Sequence, residues 1–194
     1  YAADGHNTLE LARFLISHKA NPNTKVKTGF YKKDTPLIFA ASSGNQEVAE
    51  LLLEQGADIH AKDHFDRSAL IRAAYEMKFC KPGLKKKFLS VIKLLILHDA
   101  DIHTPLGNDI GLDYDGKTFI FWGVENNHPS IVEACIEKKA DLTAATIINQ
   151  TPLYFAAEKG FTKICALLLE AGVDINYQGY QGKTPLMLAS EGGH

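Results

Sequence analysis

The chain has 194 residues, is 45% hydrophobic and 23% charged, and carries a formal net charge of −2. That composition excludes a disordered chain, and the near-balance of charge leaves no global electrostatic footprint for nucleic acid. No apolar run approaches the roughly 18 residues that a membrane span needs, and three cysteines without CxxC spacing, Cys80, Cys135 and Cys165, argue against a disulfide framework or a zinc site.

The first residues, Tyr1 to Gly5, lack the charged and apolar regions of a signal peptide. With no Met at the start, the chain is expected to be a fragment or a processed piece. Glu10 to Ile16 read as a helix with Leu11, Phe14 and Leu15 on one apolar face, at i, i+3 and i+4. A long connecting finger follows, through Lys25 to Phe30.

Residues 34–60 hold the clearest pattern. Thr35 is placed to cap a first helix, and Pro36 sits at its first position, where the missing N–H has no consequence. A turn at Gly44-Asn45 leads to a second helix over Glu47 to Leu53, and Gly56 ends it in a left-handed conformation. Ser68 opens the next first helix, 33 residues after Thr35. About ten extra residues, Met77 to Lys87, then separate its two helices as an inserted loop. The second helix resumes with Val91, Leu94 and Leu95 inward. Another insertion follows, over Thr104 to Gly111.

The stretch from Asp113 through Gly116 and Thr118 opens a divergent repeat, with Ile131, Ala134 and Cys135 on the buried face of its second helix. Thr151-Pro152-Leu153 starts a regular one that carries Leu167-Leu168-Leu169, and Thr184-Pro185-Leu186 starts again 33 residues later. Lys19 and Lys139 stand where Gly56 stands, so each is expected at positive φ despite its Cβ. The shared register predicts a core of Leu11, Leu51, Leu52, Leu94, Leu95, Ile131, Leu167 and Leu168. Cys135 and Cys165 fall among those apolar positions as small hydrophobes, and free thiols fit a reducing compartment.

The 33-residue period, with Thr-Pro-Leu, Ala-Ala, Leu-Leu-Leu and Gly-Ala-Asp in fixed order, closely resembles the ankyrin repeat. The resemblance implies an all-α helical solenoid of antiparallel helix pairs joined by β-hairpin-like fingers. It divides 1–194 into a partial repeat at 1–33, repeats at 34–65, 66–114 (with insertions), 115–149 (divergent) and 150–182, and a partial repeat at 183–194. The family's usual His after Thr-Pro-Leu is replaced by Ile38, Ile71, Phe121, Tyr154 and Met187, so the side-chain bonds it makes between neighbouring turns should be missing. The irregular insertions and lysine-rich repeats also resemble secreted ankyrin-type effectors of intracellular bacteria.

No catalytic constellation stands out: P-loop, G-x-S-x-G and H-E-x-x-H are all absent. The chain is read as non-enzymatic, with no cofactor, no metal site, no small-molecule substrate and no catalytic residue. In the resembling family, finger tips and the exposed side of each first helix line one groove. By register that groove holds Tyr31, Lys32, His64, Phe65, Arg67, Tyr75, Glu76, Tyr114, Lys117, Glu125, Ile147, Ile148, Glu158, Tyr180 and Lys183. Tyr and Arg are enriched at binding hot spots, so the reading is a monomeric, cytoplasmic module that binds a protein or peptide partner (in the host cytosol if it is a secreted effector). Two alternatives stand beside it. One is the targeting module of a larger enzyme or of a bacterial effector. The other is a lipid- or nucleic-acid-binding module led by Lys78, Lys81, Lys85, Lys86 and Lys87, with Phe79 and Phe88 interleaved, although nucleic acid and membrane are disfavoured as partners.

Overall fold

A computed structural model describes residues 5–105 and 117–194 of the chain. Among them are ten α-helices and no strand; the sole β pairing is an isolated bridge between Lys62 and Ser68. The fold is an all-helical repeat fold. It divides into two compact units, Tyr1–Asp101 and Ile102–His194.

The first unit contains α1 (Gly5–Ser17), α2 (Pro36–Ser42), α3 (Gln46–Glu54), α4 (Ala69–Phe79) and α5 (Lys85–Leu97). Helices α2 and α4 pair with α3 and α5 respectively, α2 packs on α4, and α3 packs on both α1 and α5. An inner layer of α2 and α4 thus lies against an outer layer of α1, α3 and α5. The second unit repeats the plan with α6 (Phe119–Glu125), α7 (Pro129–Glu137), α8 (Pro152–Glu158), α9 (Thr162–Glu170) and α10 (Pro185–Gly192). There α6, α8 and α10 form the inner layer, and α7 and α9 the outer one.

Local chemistry sets each helix start. The hydroxyls of Thr35, Ser68, Thr151 and Thr184 accept from the backbone N–H groups of Ile38, Ile71, Tyr154 and Met187, satisfying donors that a helix N-terminus leaves open. Thr118 makes no such bond. The chain reverses at three recurrent left-handed positions. One ends each outer helix, at Lys19, Gly56, Asp99, Lys139 and Gly172; one lies between paired helices, at Gly44, Asn127 and Gly160; one turns the finger, at Lys33, Asp66, Asn149 and Gly182. Lys19 and Lys139 adopt φ of 66° and 57° as expected, and Asp99 at 66° joins the same class.

The core departs from the sequence reading in places. Leu51, Leu52, Leu95, Ile131 and Leu168 are buried, while Leu94 and Leu167 are half-buried. Leu11 is 57% exposed, with Phe14 and Leu15 beside it. Helix α1 is covered by α3, and its half-buried residues are Leu9, Ala12 and Ile16, so Leu11 does not join the core expected for it. The expected loop at 77–87 is mostly helix. Helix α4 runs on to Phe79 with Met77 buried, a single 3-10 turn spans Pro82–Leu84, and α5 begins at Lys85.

The expected loss of side-chain bonds between neighbouring turns is made up by asparagine. Asn23 donates to the carbonyl of Gly56 at 3.0 Å and accepts from the N–H of Asp58 at 2.7 Å. Asn149 donates to the carbonyl of Gln178 at 3.1 Å and accepts from the Tyr177 hydroxyl.

Candidate functional site

In each unit the fingers and the exposed side of the inner helices carry the expected residues. In the first unit, Tyr31, Lys32, His64 and Phe65 are exposed at successive finger turns. Each finger is a tight reversal. In the second, the Asp63 carboxylate accepts from the N–H groups of Phe65 and Arg67 at 2.8 and 3.0 Å, and Asp66 supplies the left-handed residue. That turn pushes His64 and Phe65 outward and folds Arg67 back.

Arg67 is only 7% exposed. Its guanidinium lies 2.9 Å from Asp63 and under the rings of Phe65 and Tyr75, at 4.5 and 5.0 Å from their centroids. Arg72 approaches the same Asp63 carboxylate at 3.3 Å and pairs with Glu76 at 2.9 Å. Burial works against the Asp63 charge, but the hydrogen bonds from Arg67 outweigh it and hold its pKa below the ordinary value. Asp34 shows the opposite balance. Burial raises its pKa, Arg72 at 3.9 Å only partly offsets that, and its Oδ1 has no partner. Arg67 and Glu76 are therefore engaged inside the unit, and Arg67 packs against the rings of Phe65 and Tyr75.

The rings form a connected strip. Tyr31 meets Phe39 of α2 at 5.4 Å and Phe30 at 5.3 Å; Phe30 meets His64 and Phe65, both at 6.1 Å; Tyr75 meets Phe79 at 5.0 Å. Arg67 joins the two halves by lying against both Phe65 and Tyr75. Phe30 and Phe39 were absent from the expected site. The available signal was their apolar character at a finger and at the fourth residue of an inner helix, both places that solvent reaches.

In the second unit Lys117 is also 7% exposed. It donates to Glu125 at 2.8 Å and lies 4.8 Å from the Phe155 ring centroid. Lys183 and Glu191 repeat that pairing at the same eight-residue separation, again at 2.8 Å, and the bond to Glu191 raises the Lys183 pKa. These residues latch a finger base to the end of the following inner helix. Ile147, Ile148 and Tyr180 are exposed at the finger tips, and Glu158 is half-buried. Ile148, Tyr154, Glu158, Tyr180, Lys183 and Leu188 line a groove of about 510 Å³. Gly179 permits its shape, since a Cβ there would come within 2.5 Å of the Tyr154 ring. Tyr114 lies outside the described residues.

The five lysines of the basic patch are exposed, on the end of α4, the turn after it and the start of α5. Among the described residues no group of three or more His, Cys, Asp or Glu could hold a metal ion, and no helix is long and apolar enough to cross a membrane. Burial pushes the Cys135 thiol up to about 12 and raises that of Cys165, which keeps both protonated and unreactive near neutral pH.

The sequence matches the family described as "Ankyrin repeats (3 copies)" over residues 1–105 and 145–194, and that described as "Ankyrin repeats (many copies)" over 120–169. It is 29% identical over 191 residues to the human transient receptor potential cation channel subfamily A member 1, covering 95% of this chain and 15% of that protein. It is 27% identical over 208 residues to dog inversin, covering 95% and 19%. It is 50% identical over 205 residues to the probable E3 ubiquitin-protein ligase XBOS32 of Oryza sativa subsp. japonica, covering 90% and 37%. The chain therefore spans well under half the length of each of these relatives.

Proposed function

We propose that this chain, which belongs to the ankyrin repeat family, is a non-enzymatic recognition module that binds a partner protein or peptide through its fingers and inner helices. One observation carries the reading. Tyr31, Phe65, Ile147 and Tyr180 stay exposed at finger tips, while the cores of both units are closed by other residues. The exposed parts of these groups add little to folding, whereas fully burying an exposed large apolar side chain in a partner is favourable by about 1.5–3 kcal/mol. The relatives differ widely in name, which suits a module carried by larger proteins for recognition. A covalent chemistry in the whole protein would then reside outside these residues.

The test is selection of a random linear peptide library on the purified chain, followed by titration of the enriched peptides. Phe65→Ala with Tyr75→Ala should weaken binding about thirtyfold or more, the loss typical of a central anchor. Glu54→Ala and Glu170→Ala, on outer helices, should change it less than twofold. Equal affinity in all three variants would remove the finger surface from consideration.

A further inference from the structure

We infer that the aromatic strip of the first unit receives an acidic peptide segment bearing aromatic or aliphatic anchors, an inference that rests on the recognition reading above. Phe30, Tyr31, Phe39, Phe65 and Phe79 all remain exposed, Phe30 by 68%, and the ring contacts already described join them into one track. Apart from buried Asp34, the acids near that track are each paired with a cation. Asp63 is held by Arg67 and Arg72, Glu76 by Arg72, and Asp66 by Lys62 at 2.8 Å.

The cations at its two ends are not spent in this way. Residues 20–33, the finger that carries Phe30 and Tyr31, contain four Lys and no Asp or Glu, and residues 77–84, which carry Phe79, contain two Lys and none. Lys32 and Lys33 directly follow Tyr31, and Lys78 lies over the Phe79 ring at 5.6 Å. A partner seated on the rings therefore meets positive charge at each end, and complementary charge both speeds encounter and selects against basic competitors. The second unit differs, with six Lys or Arg against eleven Asp or Glu and with Lys117 and Lys183 already bonded to glutamates.

A nucleic acid fits this track less well. Single strands bind by stacking bases on free ring faces. Here Phe30 meets Tyr31 at 90° and Phe65 at 65°, so the rings present edges as well as faces, and Arg67 covers one face each of Phe65 and Tyr75. Edge-to-face rings instead offer a cohesive apolar surface for side chains.

The experiment uses the whole chain, the random peptide library and a single-stranded oligothymidine. Peptides enriched on the chain should be rich in Asp and Glu beside Phe, Trp or Leu. Their affinity should fall steeply with salt. Lys32→Glu with Lys33→Glu should weaken it tenfold or more, and Phe30→Ala, which spares the Arg67 stack, by a similar factor. Lys163→Glu on α9 should leave it within twofold, with melting curves confirming that each variant is folded. Enriched peptides that are neutral or basic yet still lost on Phe65→Ala would overturn the acidic partner and leave the recognition reading intact. Oligothymidine displacing the peptides at equal charge and lower concentration would overturn it in favour of nucleic acid. No enrichment, or binding indifferent to every finger variant, would overturn both readings.

Discussion

Asp63 is the residue on which the first unit's surface depends. Its carboxylate is fully buried, pairs with two arginines and closes a finger turn through two backbone N–H groups. Asp63→Asn keeps the turn bonds in shape but leaves Arg67 and Arg72 without their shared counter-charge. Removing one partner of a buried pair destabilises by about 3–5 kcal/mol, and a loss near the lower figure is expected in urea denaturation at neutral pH. The pH dependence follows from the depressed pKa. The Asp63 contribution is complete above its ordinary value of 3.8 and is lost as pH falls through the lower folded value. Asp34 has the opposite sign, because its folded pKa is raised: its charge opposes folding at neutral pH, and protonation removes that penalty as pH falls. Asp34→Asn should therefore be neutral or stabilising at pH 7. If the two variants lose equal stability at neutral pH, the assignment of opposite roles is wrong. None of this was legible in sequence, where Arg67 and Lys117 read as groove cations. Both are long side chains whose burial depends on a ring or carboxylate that the fold brings up from another element.

At the scale of elements, much was legible because the signals are local. A capping hydroxyl, a proline at the first helical position and a left-handed stop each fix backbone geometry within a few residues. That is why the helix pairs, the cap at Thr35 and the positive φ at Lys19 and Lys139 could be read directly. Asp99 sits in the same class as Gly56 and went unread because its helix follows the insertion. The insertion itself was misread because surplus length between two helices can be taken up by extending them. Helix α4 gains buried Met77, and a Cβ added at Gly44 would lie 3.2 Å from that of Lys87, so both ends of the inserted stretch are packed. Replacing residues 78–84 with a short Gly-containing turn should leave thermal unfolding cooperative, since Phe79 and Leu84 are exposed. Extending the replacement back through Met77 should destabilise by about 2–5 kcal/mol, as for a buried Met reduced to a small residue. Calorimetry that finds the shorter replacement as damaging as the longer would show that the exposed segment supports the fold after all.

Across the whole molecule, averaging hid the most informative charge pattern. A net charge of −2 reads as electrostatically bland, yet the first unit carries 15 Lys or Arg against 12 Asp or Glu and the second 6 against 11. The division falls between Asp101 and Ile102, and each side has its own layered core: Leu37, Leu70, Ile92 and Leu95 in the first, Phe119, Phe121, Ile131 and Leu168 in the second. In repeat proteins stability sums over repeats and nearest-neighbour interfaces. A piece that retains its own stacked pairs should then retain cooperative unfolding. The fragment ending at Asp101 keeps α2 on α4 and α3 on α5, so it should unfold in one urea transition with an m-value roughly half that of the whole chain, in proportion to the surface exposed. The contacts that define the finger strip lie within it, so an enriched acidic peptide should bind the fragment and the whole chain within a few-fold of each other. A broad, non-cooperative melt would place Asp101 inside a cooperative block. Cooperative melting with loss of peptide binding would mean that the first unit folds on its own but needs residues beyond Asp101 to recognise its partner.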